Sequence, residues 1–208
     1  MNEVDLAASA AMAASAAAFG ADGAAWRGWG PWLLRVGLVL VALFWVVGAY
    51  NRLVRLRGAV GAAWAQIDEL LTRRSALIEP LLAALQVPLA DEAGTLAALA
   101  AADARQREAA QAVRARPSLA SALMEWVVAE AALASPLARL QALVEQRAEL
   151  RDSEDVRPLL RELAELAPRL AYARTLFSDA ARAYSTAVQE FPTRIVARLF
   201  NMRPAPGL

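Results

Sequence analysis

The hydrophobic pattern changes character once along this chain. From Val36 to Tyr50 the sequence VGLVLVALFWVVGAY is apolar on every side of a helix. With the upstream Pro31-Trp32-Leu33-Leu34 it reaches the roughly 20 residues that an α-helix needs to cross a bilayer. After Tyr50 the apolar positions thin to a stripe. The stripe is Leu53, Val60, Trp64, Ile67, Leu71, Ile78, Leu81 and Leu85, and from Val60 on it steps by fours and threes once Arg74 is counted in the seam. That spacing predicts one long helix to about Gln86 with a single packing face, and Pro80 should bend it or end it early.

Three further helices follow. Gln86 to Asp91 reads as a connection, with Asp91 as an N-cap. The second helix, about 91–115, is Ala-rich, with Leu96, Leu99, Ala102, Ala109 and Val113 in line and Gln106 among them. Pro117-Ser118 closes it. The third carries Leu119, Leu123, Trp126, Glu130, Leu133, Leu137, Leu140 and Val144, with a break expected at Ser135-Pro136. Arg151 to Asp155 is a polar turn. The fourth has Leu159, Leu163, Leu166, Leu170, Ala173, Phe177, Ala180, Tyr184, Ala187 and Phe191, with Pro168 expected to kink it. Beyond Phe191-Pro192, the residues Ile195, Val196, Leu199 and Phe200 form a short amphipathic piece. The predicted fold is all-α: an N-terminal single transmembrane helix continuing into a long-helix antiparallel bundle. Its divisions are a mobile Ala-rich tail at 1–30, the anchor at 31–50, the bundle at 51–202 and a tail at 203–208.

The flanks of the apolar run fit a membrane interface. Trp26, Trp29 and Trp32 lead into it, and Arg52, Arg55 and Arg57 follow it. A cleaved signal peptide ending near Val47-Gly48-Ala49 is the rival reading. The length of the leading segment and the unbroken helix pattern through Asn51 favour a retained anchor. The Arg excess after the span favours an inner-membrane, single-pass protein with a cytoplasmic bundle, a periplasmic bundle being the alternative. The last helix should return to the membrane. This makes Phe191, Arg194, Arg198 and Phe200 further interface candidates.

Composition removes most catalytic chemistry. The chain has no Cys, no His and no Lys; all 22 basic residues are Arg. Ser/His and Cys/His nucleophiles, Schiff-base lysines, Walker loops and zinc sites each need an absent residue. Carboxylates remain, of which Glu130 stands out, followed by Asp68 and Glu69, but most of the 21 acids sit singly on polar helix faces. No catalytic, cofactor or metal residues are assigned and no cofactor is expected. The net charge of +1 and the absence of a basic stripe with interleaved aromatics argue against nucleic acid as a partner. One polar feature is unusual. Arg74 and Glu130 each occupy an otherwise apolar seam, where a charge needs a partner, so they are expected to meet in the bundle.

Several stretches resemble the LemA family. Its opening is similar to Tyr50-Asn51-Arg52-Leu53-Val54-Arg55-Leu56-Arg57, Ala63-Trp64-Ala65-Gln66-Ile67-Asp68, Arg73-Arg74 and Leu77-Ile78. Its closing motif is similar to Ala173-Arg174, Phe177, Tyr184 and Phe191-Pro192-Thr193-Arg194-Ile195-Val196-Ala197. The resemblance covers about residues 36–202, as a divergent member. Ser178 and Ser185 stand where the family has Asn after each aromatic, and Ala167 stands for a Glu. Arg147-Ala148 replaces a Tyr-Pro, and the first-helix proline is displaced by one in Ile78-Glu79-Pro80. The resemblance implies an anchored antiparallel bundle and no established activity.

Three functions are open. One is a membrane-anchored helical scaffold or adaptor that presents a bundle surface to protein partners, without catalysis of its own. The others are a homo-oligomeric membrane-associated assembly and a carboxylate-based metal-binding protein or enzyme. The partners are the lipid bilayer and a protein, either another membrane protein or a second copy of the chain.

Overall fold

The computed structural model describes the backbone of residues 3–208 and the side chains of residues 31–208. Its elements are α1 (Glu3–Leu85), α2 (Ala93–Ala115), α3 (Ala120–Gln146), α4 (Ala148–Arg151), α5 (Val156–Gln189) and α6 (Thr193–Leu199). The side chains of the segment expected as a tail at 1–30, Trp26 and Trp29 among them, lie outside the described residues. The chain divides into two compact units, Met1–Ala49 and Tyr50–Leu208.

In the first unit, the described part of α1 is apolar on every side apart from Arg35, and its large side chains are uncovered. Leu34, Leu38, Val41 and Phe44 are 67–75% exposed. Such a surface is stable in hydrocarbon rather than in water, and it identifies the span. Deleting Pro31 to Ala49 is therefore expected to move the protein into the soluble fraction. Persistence of the truncated form on membranes after salt and carbonate washes would show that another segment is the main anchor.

The second unit is a four-helix bundle of α1, α2, α3 and α5. Its register can be read from cross-helix pairs. Going up α1 from Asp68 to Ser75, the α2 partners run down from Arg114 to Asp103, so the two helices are antiparallel. Going from Trp64 to Arg73, the α5 partners run down from Phe177 to Glu162. From Trp64 to Arg74, the α3 partners run up from Trp126 to Glu130, which makes α1 and α3 parallel. Up-and-down connections between helices of similar length produce this arrangement. Leu53, Val60, Ile67, Ile78, Leu81 and Leu85 of α1 are all at most 1% exposed, as the heptad stripe predicts.

No helix ends at its proline: α1 runs past Pro80 to Leu85, α3 contains Pro136 and α5 contains Pro168. In each case the carbonyl left without an amide donor belongs to the residue four earlier. Those residues, Ala76, Ala132 and Ala164, are exposed, so water can satisfy the freed oxygen. Packing on the opposite face holds the helix together. Asp91 is not an N-cap: a 3₁₀ turn (Ala90–Glu92) precedes α2, and Asp91 instead accepts from the Arg147 guanidinium at 2.8 Å. In two places the seam slips by one residue, burying Ala110 rather than Ala109 and Ala181 rather than Ala180. Phe191 leaves the seam altogether and is 75% exposed.

Candidate functional site

The chemically distinctive part of the bundle lies midway along it, where three helices each contribute a charged residue. The heptad stripe of α1 turns Arg74 inward, and the stripe of α3 does the same for Glu130. The Arg74 guanidinium donates in a fork to Glu130, with Nη1 to Oε1 and Nη2 to Oε2 both at 2.6 Å. Arg174, one residue past the α5 seam position Ala173, donates from Nη2 to the same Oε1 at 2.7 Å. Its guanidinium lies over the Trp126 ring, 5.2 Å from the centroid. Trp126 meets Trp64 edge to face at 5.2 Å, and Trp64 meets Phe177 at 6.0 Å. One carboxylate thus takes both guanidiniums, and an aromatic group walls the site on the side of Trp64 and Phe177.

Burial pushes the Glu130 carboxyl up, but the hydrogen bonds and positive charge of Arg74, then the charge and hydrogen bond of Arg174, outweigh it. The net effect holds Glu130 below the ordinary glutamate range. Its two oxygens accept three charge-assisted bonds, and guanidinium does not release a proton near neutrality. The cluster therefore has no group poised to donate or accept a proton. It can clamp three helices together, and that is its chemistry.

The other polar pairs are likewise closed on themselves. Asp68 receives a fork from Arg114, at 2.8 Å from Nε and 2.7 Å from Nη2. Buried Asp103 accepts from Ser75 Oγ at 2.7 Å and pairs with Arg107. These groups line a cleft of about 610 Å³ between α1 and α2. Glu69 is exposed. Among the described residues no three His, Cys, Asp or Glu side chains converge to hold a metal.

The interface candidates fall as follows. Trp32 is exposed in the first unit, while Arg52, Arg55 and Arg57 are exposed on α1. Phe191, Arg194, Arg198 and Phe200 are exposed around α6. The Phe200 ring lies 4.7 Å from that of Tyr50, which brings α6 to the end of the bundle where α1 enters it. Arg52 and Arg55 share a shallow cleft with Asp179, Arg182 and Glu190 of the α5 end.

Sequence reasoning missed the role of Arg174, because a residue one step off a seam reads as surface. It also missed the roles of Ser178 and Ser185. Ser185 Oγ donates to the Ala205 carbonyl at 2.7 Å and Ser178 Oγ to that of Leu208 at 3.3 Å, which holds the C-terminal tail along α5.

Residues 63–208 match the model of the LemA family. Among curated proteins, none is similar enough to the chain to count as a match.

Proposed function

Because the chain belongs to the LemA family and is a membrane-associated, all-helical protein, we propose that it is a non-catalytic scaffold whose bundle presents the outer face of α3 to a protein partner. It is a single-pass inner-membrane protein with the bundle on the cytoplasmic side. The observation carrying the proposal is the exposure of Met124 and Val128, each at 64%, beside Val127 at 39%. Ala120, Ala131 and Ala132 are also exposed on this helix, and Glu125 is the charge among them.

α3 is apolar enough along its length to resemble a second span. Its inner face, however, is committed to the bundle through Leu123, Trp126, Leu133, Leu140 and Val144, all at most 2% exposed. Among the described residues no element covers the apolar outer face. Contiguous apolar surface of this kind marks an interaction site, and small residues beside larger ones admit the ridges of another helix.

The double substitution Met124→Glu with Val128→Glu places two carboxylates on that face without touching the core. The wild-type protein extracted from membranes in mild detergent is expected to migrate in an assembly larger than the chain alone. The double variant should migrate as the chain alone, with its thermal unfolding midpoint unchanged. Identical migration of the two proteins would remove α3 as the docking face. A larger assembly formed by the purified chain by itself would identify the partner as a second copy.

A further inference from the structure

At the opposite end of the chain from the anchor, α6 is built with two unlike sides. Thr193, Val196 and Ala197, at most 5% exposed, fix it to the bundle. Ile195 at 57%, Leu199 at 74% and Phe200 at 49% face outward, and Phe191 just before the helix is 75% exposed. Arg194 and Arg198 lie among them and are exposed as well. No ion pair is formed by either Arg among the described residues. A seven-residue helix that, with the residues flanking it, exposes four large apolar groups and two cations to water would be a poor surface for a soluble protein.

Its position supplies the occupant. The Phe200 ring lies tilted against that of Tyr50, and Tyr50 is the residue at which the apolar span ends. A group in ring contact with the end of a span lies at the depth of the headgroups, where apolar side chains can enter the acyl boundary and arginines meet phosphate. We propose that α6 is a second membrane contact, seated in the headgroup layer, with Phe191, Ile195, Leu199 and Phe200 entering the lipid. Arg194 and Arg198 engage the phosphates of anionic phospholipids. Arg52 and Arg55 contribute less, because Asp179 and Glu190 share their cleft. The chain then holds the membrane at two points of the bundle base, the exit of the span and α6. This contact is independent of the α3 docking face.

The chain has no cysteine, so a single introduced one carries a unique label. Ile195→Cys and Leu199→Cys, each bearing an environment-sensitive fluorophore, are placed in the full-length protein in nanodiscs containing phosphatidylglycerol. Glu154→Cys, in the turn between α4 and α5 at the far end of the bundle, is the reference. Quenching by lipid-borne spin labels is expected to be several-fold stronger at 195 and 199 than at 154, with blue-shifted emission. Adding Arg194→Glu and Arg198→Glu, or changing to zwitterionic discs, should reduce it, while far-ultraviolet circular dichroism stays unchanged. Emission at 195 and 199 as insensitive as at 154 would overturn the proposal. Strong quenching indifferent to both headgroup charge and the reversals would overturn the phosphate contact. Label-to-label quenching without lipid quenching would assign the face to a second copy.

Discussion

Replacing Glu130 with alanine should destabilise the bundle by about 3–5 kcal/mol, because it leaves the guanidinium of Arg74 in the interior without its counter-charge. Arg74 is 9% exposed, its Nε already lacks a hydrogen-bond partner, and both Nη groups donate to Glu130 alone. Arg174 is about one-third exposed at its side chain and can turn toward water, so Arg174→Ala should cost less than Arg74→Ala. A double-mutant cycle on Arg74 and Glu130 separates mutual attraction from shared burial. Substitution of all three charged residues by apolar side chains of similar volume is expected to be near neutral or stabilising, since it removes the desolvation cost along with the bonds. Unfolding followed by tryptophan fluorescence measures each. Additive single and double mutants would show that the geometric fork contributes no coupling.

The same carboxylate sets a pH dependence. The Glu130 carboxyl lies below its usual range in the folded bundle. Above the unfolded glutamate value of about 4.3 its stabilisation is fully present, and it is lost as pH falls through the folded value. Glu130→Gln should be less stable near neutrality and should lose that acid-limb decline.

Much of this bundle is legible in the sequence, and what is illegible there has physical causes. Steps of four and three put Leu53, Ile67 and Leu81 on one line, and only burial keeps such a line apolar. Arg74 and Glu130 were visible as charges interrupting those lines, and the structure places them in contact. Arg174 was hidden because periodicity describes where a Cα faces, not where a long side chain reaches. Pro80, Pro136 and Pro168 read as breaks because local chemistry says nothing about which carbonyl faces water. The hold of Ser178 and Ser185 on the tail has no periodic signature at all: it joins residues 20 to 30 positions apart through hydroxyls that, in sequence, look no different from those facing water.

Trp126→Ala should cost about 3–5 kcal/mol, a loss comparable with that of Glu130→Ala but from a different source. Trp126 is 1% exposed and fills the space between Trp64 and the Arg174 guanidinium. Truncation removes the apolar burial, the edge-to-face contact with Trp64 and the ring beneath Arg174, and the packed helices cannot collapse fully into the gap. Trp126→Phe keeps a ring and discards an indole N–H that has no partner in the fold, so its loss should be smaller. The distinguishing measurement is the effect of Arg174→Met in both backgrounds. With Trp126 present the substitution removes a cation over an aromatic face, worth about 0.5–2 kcal/mol; with alanine there, that component is gone. If Arg174→Met costs the same with Trp126 as without it, the guanidinium owes its place to Glu130 alone, and the aromatic wall and the charge cluster are separate features of the core.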